Sequence, residues 1–242
     1  MKRFFLDKLG LHIDSFTANR YRLIKRFLIS GEIKSLNVGT GGGVETIQLF
    51  SRGNFVTTIE IDKTVSDRTR QRILRNGYGL RHTEIVGHFL KVDIPGIYSE
   101  ILMCEVLEHI KQDDEAIGKL ASLLEKDGRL ILSTPTALYG QMPGDVIATE
   151  EDQSNPDYHV RVGYQGIELD KMLLKHGFVT LKRVYNGYLF SQYYHQLERN
   201  FRKIKALYPL YFIIALLGRI IIPFLELFRI EPSDQITIAI KL

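Results

Sequence analysis

Seven short runs of β-branched and aliphatic residues recur along this chain, and stretches with helical periodicity separate most of them. The runs are SLNVG (35–39), FVTTIEI (55–61), TEIVG (83–87), EILMC (100–104), RLILST (129–134), FVTLKRVY (178–185) and QITIAIK (235–241). Helices are predicted near 43–52, 63–76, 113–126 and 167–176. Parallel strands need a crossover between them, and covering helices bury both faces of the sheet they build. The prediction is therefore an α/β fold around a mostly parallel, doubly wound seven-stranded sheet. On such sheets ligands bind beyond the carboxyl ends of the strands, near the point where strand order reverses. A chain of 242 residues can fill one large core, and we read a single domain. It has an N-terminal helical segment (1–33), a core (34–135) and two departures from the alternation, at 136–164 and 191–230. The N-terminal helix is drawn from Phe4 to Ile33, with Phe16, Tyr21, Ile24, Phe27 and Leu28 on one buried face. Residues 136–164 are turn-rich and polar, and 191–230 read as a long helical insertion. Both follow strands, so both are places to look for a second ligand.

The first strand–helix turn narrows the chemistry. Leu36-Asn37-Val38-Gly39-Thr40-Gly41-Gly42-Gly43 leaves a strand and opens a helix. Glycines there let the backbone turn tightly and let a bulky ligand approach with no Cβ in the way. Glu60 stands 21 residues beyond Gly39 at the end of the next strand, where a carboxylate can accept from both hydroxyls of a ribose. An adenosine-containing ligand is implied. A nicotinamide or flavin site would place Gly or Ala where this chain has Val44, so the pattern is the shorter Gly39-x-Gly41-x-Gly43.

That shorter pattern resembles the first motif of class I S-adenosylmethionine-dependent methyltransferases. Tyr98-Ser99-Glu100-Ile101-Leu102-Met103-Cys104-Glu105-Val106-Leu107-Glu108-His109-Ile110 is similar to the family's fourth strand and following helix. Its Glu-Val-Leu-Glu-His-Ile run resembles the branch of ubiquinone-pathway O-methyltransferases. Leu124 to Pro135 is similar to the fifth strand, and His159-Val160-Arg161-Val162-Gly163-Tyr164 to a later segment of small-molecule and cell-envelope methyltransferases. The resemblance covers about 34–190 and the last strand, and implies a Rossmann-like fold and methyl transfer from S-adenosylmethionine. It implies cofactor contacts by Asn37, Gly39, Thr40, Gly41, Glu60, Ile61, His88, Phe89 and Glu105. Glu105 would line the methionine end, and Phe89 would offer its backbone N–H and pack on the adenine. The family usually has Asp where this chain has Asn37, and Gly-Asp where it has Gly87-His88, with Asp93 as the nearby substitute. Ser99 replaces the Asp of a Phe-Asp pair. The alternatives are a non-catalytic S-adenosylmethionine binder on the same fold and, further off, a nicotinamide-dependent oxidoreductase.

Methyl transfer from a sulfonium needs alignment above all, and a general base where the acceptor is a hydroxyl. His109 and His159 are the base candidates; His195, beside Tyr193 and Tyr194, would qualify only if its helix covered the site. Glu150, Glu151 and Asp152 read as a solvated cluster. No ligand spacing for a metal is evident, and the magnesium-dependent catechol type is not indicated. The acceptor is expected to be a small molecule, a sugar or a lipid-linked intermediate, methylated on oxygen. A formal charge of +4 without a basic stripe argues against nucleic acid. One cysteine, Cys104, excludes an internal disulfide. The start MKRFFLDKLGLHIDSF carries Asp7, Lys8 and Asp14 where an export signal needs an unbroken apolar stretch, and a cytoplasmic location is expected. Residues 206–228, ALYPLYFIIALLGRIIIPFLELF, are long enough to span a bilayer. Arg219, Glu226, Pro209, Pro223 and the strand that follows argue against a span. Peripheral contact with the inner membrane face through 200–228, a homodimer through the same helices, and burial against the chain's own core remain open.

Overall fold

The structure, a computed structural model, describes residues 14–137, 159–204 and 207–242. They group into two compact units, Phe27–Val184 with Gln235–Leu242, and the stretch up to Arg26 with Tyr185–Asp234. The predicted helical start before Asp14 and the Glu150–Asp152 cluster lie outside the described residues.

In the larger unit the strands are β1 (Lys34–Val38), β2 (Phe55–Glu60), β3 (His82–Val86), β4 (Tyr98–Cys104), β5 (Leu124–Pro135), β6 (Phe178–Asn186) and β7 (Asp234–Lys241). They form one seven-stranded sheet in the order β3-β2-β1-β4-β5-β7-β6. β1 is parallel to both β2 and β4, and the β2–β3 and β4–β5 pairs are also parallel. Strand order reverses between β1 and β4, which sets the crevice beyond their carboxyl ends as the ligand position. This is the α/β, Rossmann-like architecture that the strand–helix alternation predicts. Central strands are apolar on both faces, as parallel sheets under helices require: six of the seven β4 residues are buried. β3, at the edge, has none.

The connecting helices are α2 (Val44–Ser51), α3 (Lys63–Arg75), α4 (Asp113–Leu123) and α5 (Gly166–Lys175); α1 (Ser15–Ile24) belongs to the smaller unit. Asp62 starts α3 by accepting from the Thr64 and Val65 N–H groups, an N-cap a short carboxylate makes well. Ile117, Leu120, Leu169 and Leu173 carry α4 and α5 onto Ile101, Met103 and Leu130 of the sheet in the main core.

Three boundaries differ from expectation. The N-terminal helix ends at Ile24, not Ile33, because residues 29–33 are committed to the sheet unit. There the Ile29 N–H donates to the Glu100 carboxylate, the Gly31 N–H to the Arg52 carbonyl, and the Ile33 carbonyl accepts from Phe55. α4 stops at Leu123, not 126, because Leu124 pairs with Tyr98 and begins β5. The 191–230 insertion is two helices, α6 (Leu189–Lys203) and α7 (Tyr208–Leu225), followed by a 3-10 turn. In the smaller unit α6 and α7 join α1: Tyr194 donates to the Ile214 carbonyl at 2.7 Å.

Candidate functional site

The β1–α2 turn is left-handed at Gly39, Gly41 and Gly43 (φ 73°, 45° and 73°), a conformation in which a Cβ is strained. Two of the three glycines also lack room. A Cβ on Gly39 would lie 2.2 Å from Val106 Cγ2, and one on Gly43 would lie 2.9 Å from Thr69 Cγ2. At Gly41 nothing lies within 4 Å of that position, so this glycine keeps space open rather than filling a contact.

Glu60 closes the turn from β2. Its Oε2 accepts from the Thr40 N–H at 3.0 Å, the Thr40 hydroxyl at 3.1 Å and the Gly41 N–H at 3.2 Å. Oε1 accepts from the Asp62 N–H at 3.2 Å and, as a carboxylate oxygen, has capacity for a further donor. The carboxylate therefore sets the turn's shape and presents one edge to the crevice. Thr69 of α3 donates to the Gly41 carbonyl, and Arg72 to that of Gly42. Asn37, fully buried on β1, donates its amide to the Thr46 hydroxyl of α2 at 2.8 Å.

Around this turn the other predicted residues fall at strand ends. Ile61 follows β2 and is 65% exposed. His88 follows β3; its Nδ1 accepts from the Leu90 N–H at 3.2 Å, and its carbonyl accepts from Lys91 and Val92. The imidazole thus does what a short acidic side chain does at a turn. The Phe89 ring is buried in the main core, with the Lys119 ammonium 5.3 Å from its centroid. Asp93 is exposed, in the field of the Lys119 ammonium.

Glu105 follows β4 at φ 53°, an uncommon conformation for a residue with a side chain. Its N–H donates to the Ser133 carbonyl, and its Oε1 accepts from the Ser133 hydroxyl at 2.6 Å. Beyond it, the 159–164 segment is tied to the turn after β4. Val160 N–H donates to the Glu108 carbonyl at 2.9 Å, and Tyr164 donates to Asp113 Oδ2 at 3.0 Å. Arg161 pairs with Asp113 at 3.0 Å and Glu168 at 2.7 Å. Burial, then the Asp113 carboxylate, push the Tyr164 phenol well above its ordinary value, so it stays a donor. Gly163 passes close under β5: a Cβ there would lie 2.3 Å from the Thr136 carbonyl oxygen.

This tie brings both predicted bases together. The His109 and His159 rings lie edge to face, 4.7 Å between centroids. With Glu108 they hold three ligand-type atoms within 4.8 Å of one another, a grouping that spacing in the sequence did not suggest. His195 lies in the smaller unit, 3.4 Å from Asp14.

Residues 14–183 match the family described as Methyltransferase domain. The chain belongs to the methyltransferase domain family. Among its relatives is the ubiquinone biosynthesis O-methyltransferase of Aeromonas salmonicida, 27% identical over 99 residues, 41% of this chain and 42% of that protein. The Stutzerimonas stutzeri enzyme of the same name is 25% identical over 101 residues, 42% and 44% of the two chains. The chain thus spans less than half the length of these relatives. Among solved structures it is similar to the N-methyltransferase NodS of Bradyrhizobium japonicum, in complex with S-adenosylhomocysteine. The TM-score is 0.62 at 15% identity, covering 96% of this chain and 90% of that one. It is also similar to phosphoethanolamine N-methyltransferase 2 of Haemonchus contortus, in complex with S-adenosylmethionine. There the TM-score is 0.64 at 15% identity, over 92% and 52%. At such identities the likeness is one of fold.

Several supporting residues escaped the sequence reading. Thr46, Val106, Ser133 and the Asp113–Arg161–Tyr164 set act across elements.

Proposed function

We propose that this chain binds S-adenosylmethionine at the carboxyl ends of β1 to β4 and methylates an oxygen of a small-molecule, sugar or lipid-linked acceptor. The observation that carries the reading is the Glu60 carboxylate bonded to the Thr40–Gly41 backbone at the point where strand order reverses. The residues present fit the cofactor. Gly41 leaves space where a side chain would stand, and Glu60 Oε1 has capacity for a ribose hydroxyl. Exposed Ile61 offers an apolar surface to a purine. In the neutral imidazole, His88 accepts at Nδ1 and so carries its proton on Nε2, a donor for a ring nitrogen where an Asp would accept from an amino group. Glu105, held by Ser133, supplies negative charge for an ammonium.

Bound there, S-adenosylmethionine supplies an electrophilic methyl group on its sulfonium. The chain's own residues then align the acceptor and take its proton. His109 or His159 would receive the hydroxyl proton of the acceptor as its oxygen is methylated. Such a base contributes about 10²–10⁴-fold in rate. Replacing each histidine by Asn is expected to lower turnover within that range for one of the two, with cofactor affinity unchanged.

Isothermal titration with S-adenosylmethionine, with NADH as the control ligand, tests the reading directly. Stoichiometric binding that is lost in Gly41→Arg and weakened in Glu60→Ala supports it, and S-adenosylhomocysteine production with a hydroxyl acceptor completes it. Binding without any product across acceptor classes would leave a non-catalytic binder. No binding would end the proposal.

A further inference from the structure

The apolar stretch that resisted assignment in the sequence has a definite geometry. On α7 and the turn after it, Ile213, Leu216, Leu217, Ile220, Phe224 and Leu227 are all exposed, Ile220 at 74% and Phe224 at 60%. Their three- and four-residue spacing puts them along one side of the helix. The opposite side is packed inside its own unit: Tyr211, Ala215 and Ile222 are buried, and a Cβ on Gly218 would lie 2.4 Å from Ser15 Oγ. Arg219 lies in the field of the buried Glu198 and of Asp14. The helix therefore lies along α1 and α6 with one apolar face outward. Phe190 of α6 extends the outward face through Phe228, 5.3 Å between ring centroids.

Charge in this unit is sorted by exposure. Among its described residues the exposed cations are Arg22, Lys25, Arg26, Arg199, Lys203 and Arg229, and Glu231 is the exposed anion. The other acids are withdrawn: Glu198 and Asp234 are buried, Asp234 pairs with Arg20, and Asp14 faces His195. Six exposed cations against one exposed anion, in the unit that carries an outward apolar helix face, suit an interfacial helix on an anionic bilayer. A second copy of this chain would instead bring like charges together around the contact.

We propose that this face docks the protein peripherally on anionic lipid, with α7 parallel to the membrane and its Ile213–Leu227 side in the headgroup–acyl boundary. The proposal is independent of the methyl-transfer reading. It would place the protein on a membrane surface rather than free in the cytoplasm.

The test is flotation of the full chain with vesicles of equal parts phosphatidylglycerol and phosphatidylcholine, against phosphatidylcholine alone. Binding to the anionic vesicles, weakened by salt, is expected. Ile220→Glu should lower partitioning by about tenfold or more, from the loss of one buried apolar side chain. Arg199→Glu and Lys203→Glu should each lower it by about fivefold or more. Since the chain has no tryptophan, Phe224→Trp gives a single reporter on an otherwise native chain. Its emission should shift to the blue with anionic vesicles only. No flotation, equal flotation of Ile220→Glu, equal binding to neutral vesicles, or a two-chain particle that Ile220→Glu splits would each overturn the proposal. The last outcome would assign the face to a second copy. Unfolding midpoints of the variants guard against a trivial loss, and the tryptophan reporter decides if one of them fails to fold.

Discussion

Glu60 shapes the turn and, in the proposed function, also holds the ligand; the two roles separate by substitution. Glu60→Ala strands the buried Thr40 N–H, at about 1–3 kcal/mol for a buried donor left unpaired. Glu60→Gln retains one accepting oxygen and is expected to lose less stability while still binding S-adenosylmethionine more weakly. Denaturant melts and titration of the pair separate the effects. Gly39→Ala is expected to destabilise through its collision with Val106. Adding Val106→Ala should restore most of the loss and leave the cost of a left-handed alanine, about 1–2 kcal/mol. Glu100 gives the clearest pH signature. Burial pushes its carboxyl up to about 7, against the opposing Ile29 hydrogen bond and the Arg129 and Arg52 charges. Between the ordinary value of 4.5 and about 7, the unfolded chain sheds a proton that the folded chain keeps. This group's contribution is therefore full below that window and declines as pH rises through it, by on the order of 3 kcal/mol. In Glu100→Gln, urea midpoints measured on either side of the window should lose this decline.

Elements, rather than single residues, decide where the two candidate bases stand. His109 follows β4 and His159 lies fifty positions later, yet their rings meet because the 159–164 segment is fastened to the Glu108 carbonyl and to Asp113. Gly163 is the tight point of that fastening. Gly163→Ala must push the segment off the Thr136 carbonyl, and an ångström-scale displacement of a catalytic group can cost about 10²-fold in rate. The expected signature is a fall in turnover at unchanged S-adenosylmethionine affinity, read by product formation beside titration. A parallel loss of affinity would mean that the segment also shapes the cofactor site. Tyr164→Phe removes the bond to Asp113 and should cost about 1 kcal/mol of stability.

For the molecule as a whole, the proposed cofactor site and the apolar face belong to different compact units, each with its own buried residues. Ligand binding to the folded state adds stability by mass action, about 2.7 kcal/mol at a hundredfold excess over Kd. Wild type and Ile220→Glu should both show this gain with S-adenosylmethionine, and Gly41→Arg should not. Vesicle binding should divide the other way, kept by Gly41→Arg and lost by Ile220→Glu. Loss of both functions in either variant would show that the two units communicate.

The fold was legible because periodicity and glycine placement are local: every predicted strand formed, and the β1–α2 turn with Glu60 sits at the strand reversal that the alternation requires. Boundaries failed where a distant partner intervened, as when Tyr98 captured Leu124 for the sheet and Glu100 drew Ile29 out of the N-terminal helix. The burial of the Phe89 ring in the main core is decided by which surfaces pack around it. The meeting of His109 with His159, and the outward turn of one side of α7, are likewise tertiary facts. A one-dimensional pattern states which residues are apolar or basic. Whether such a residue faces a partner, a ligand or the outside depends on which surfaces the other elements have already buried.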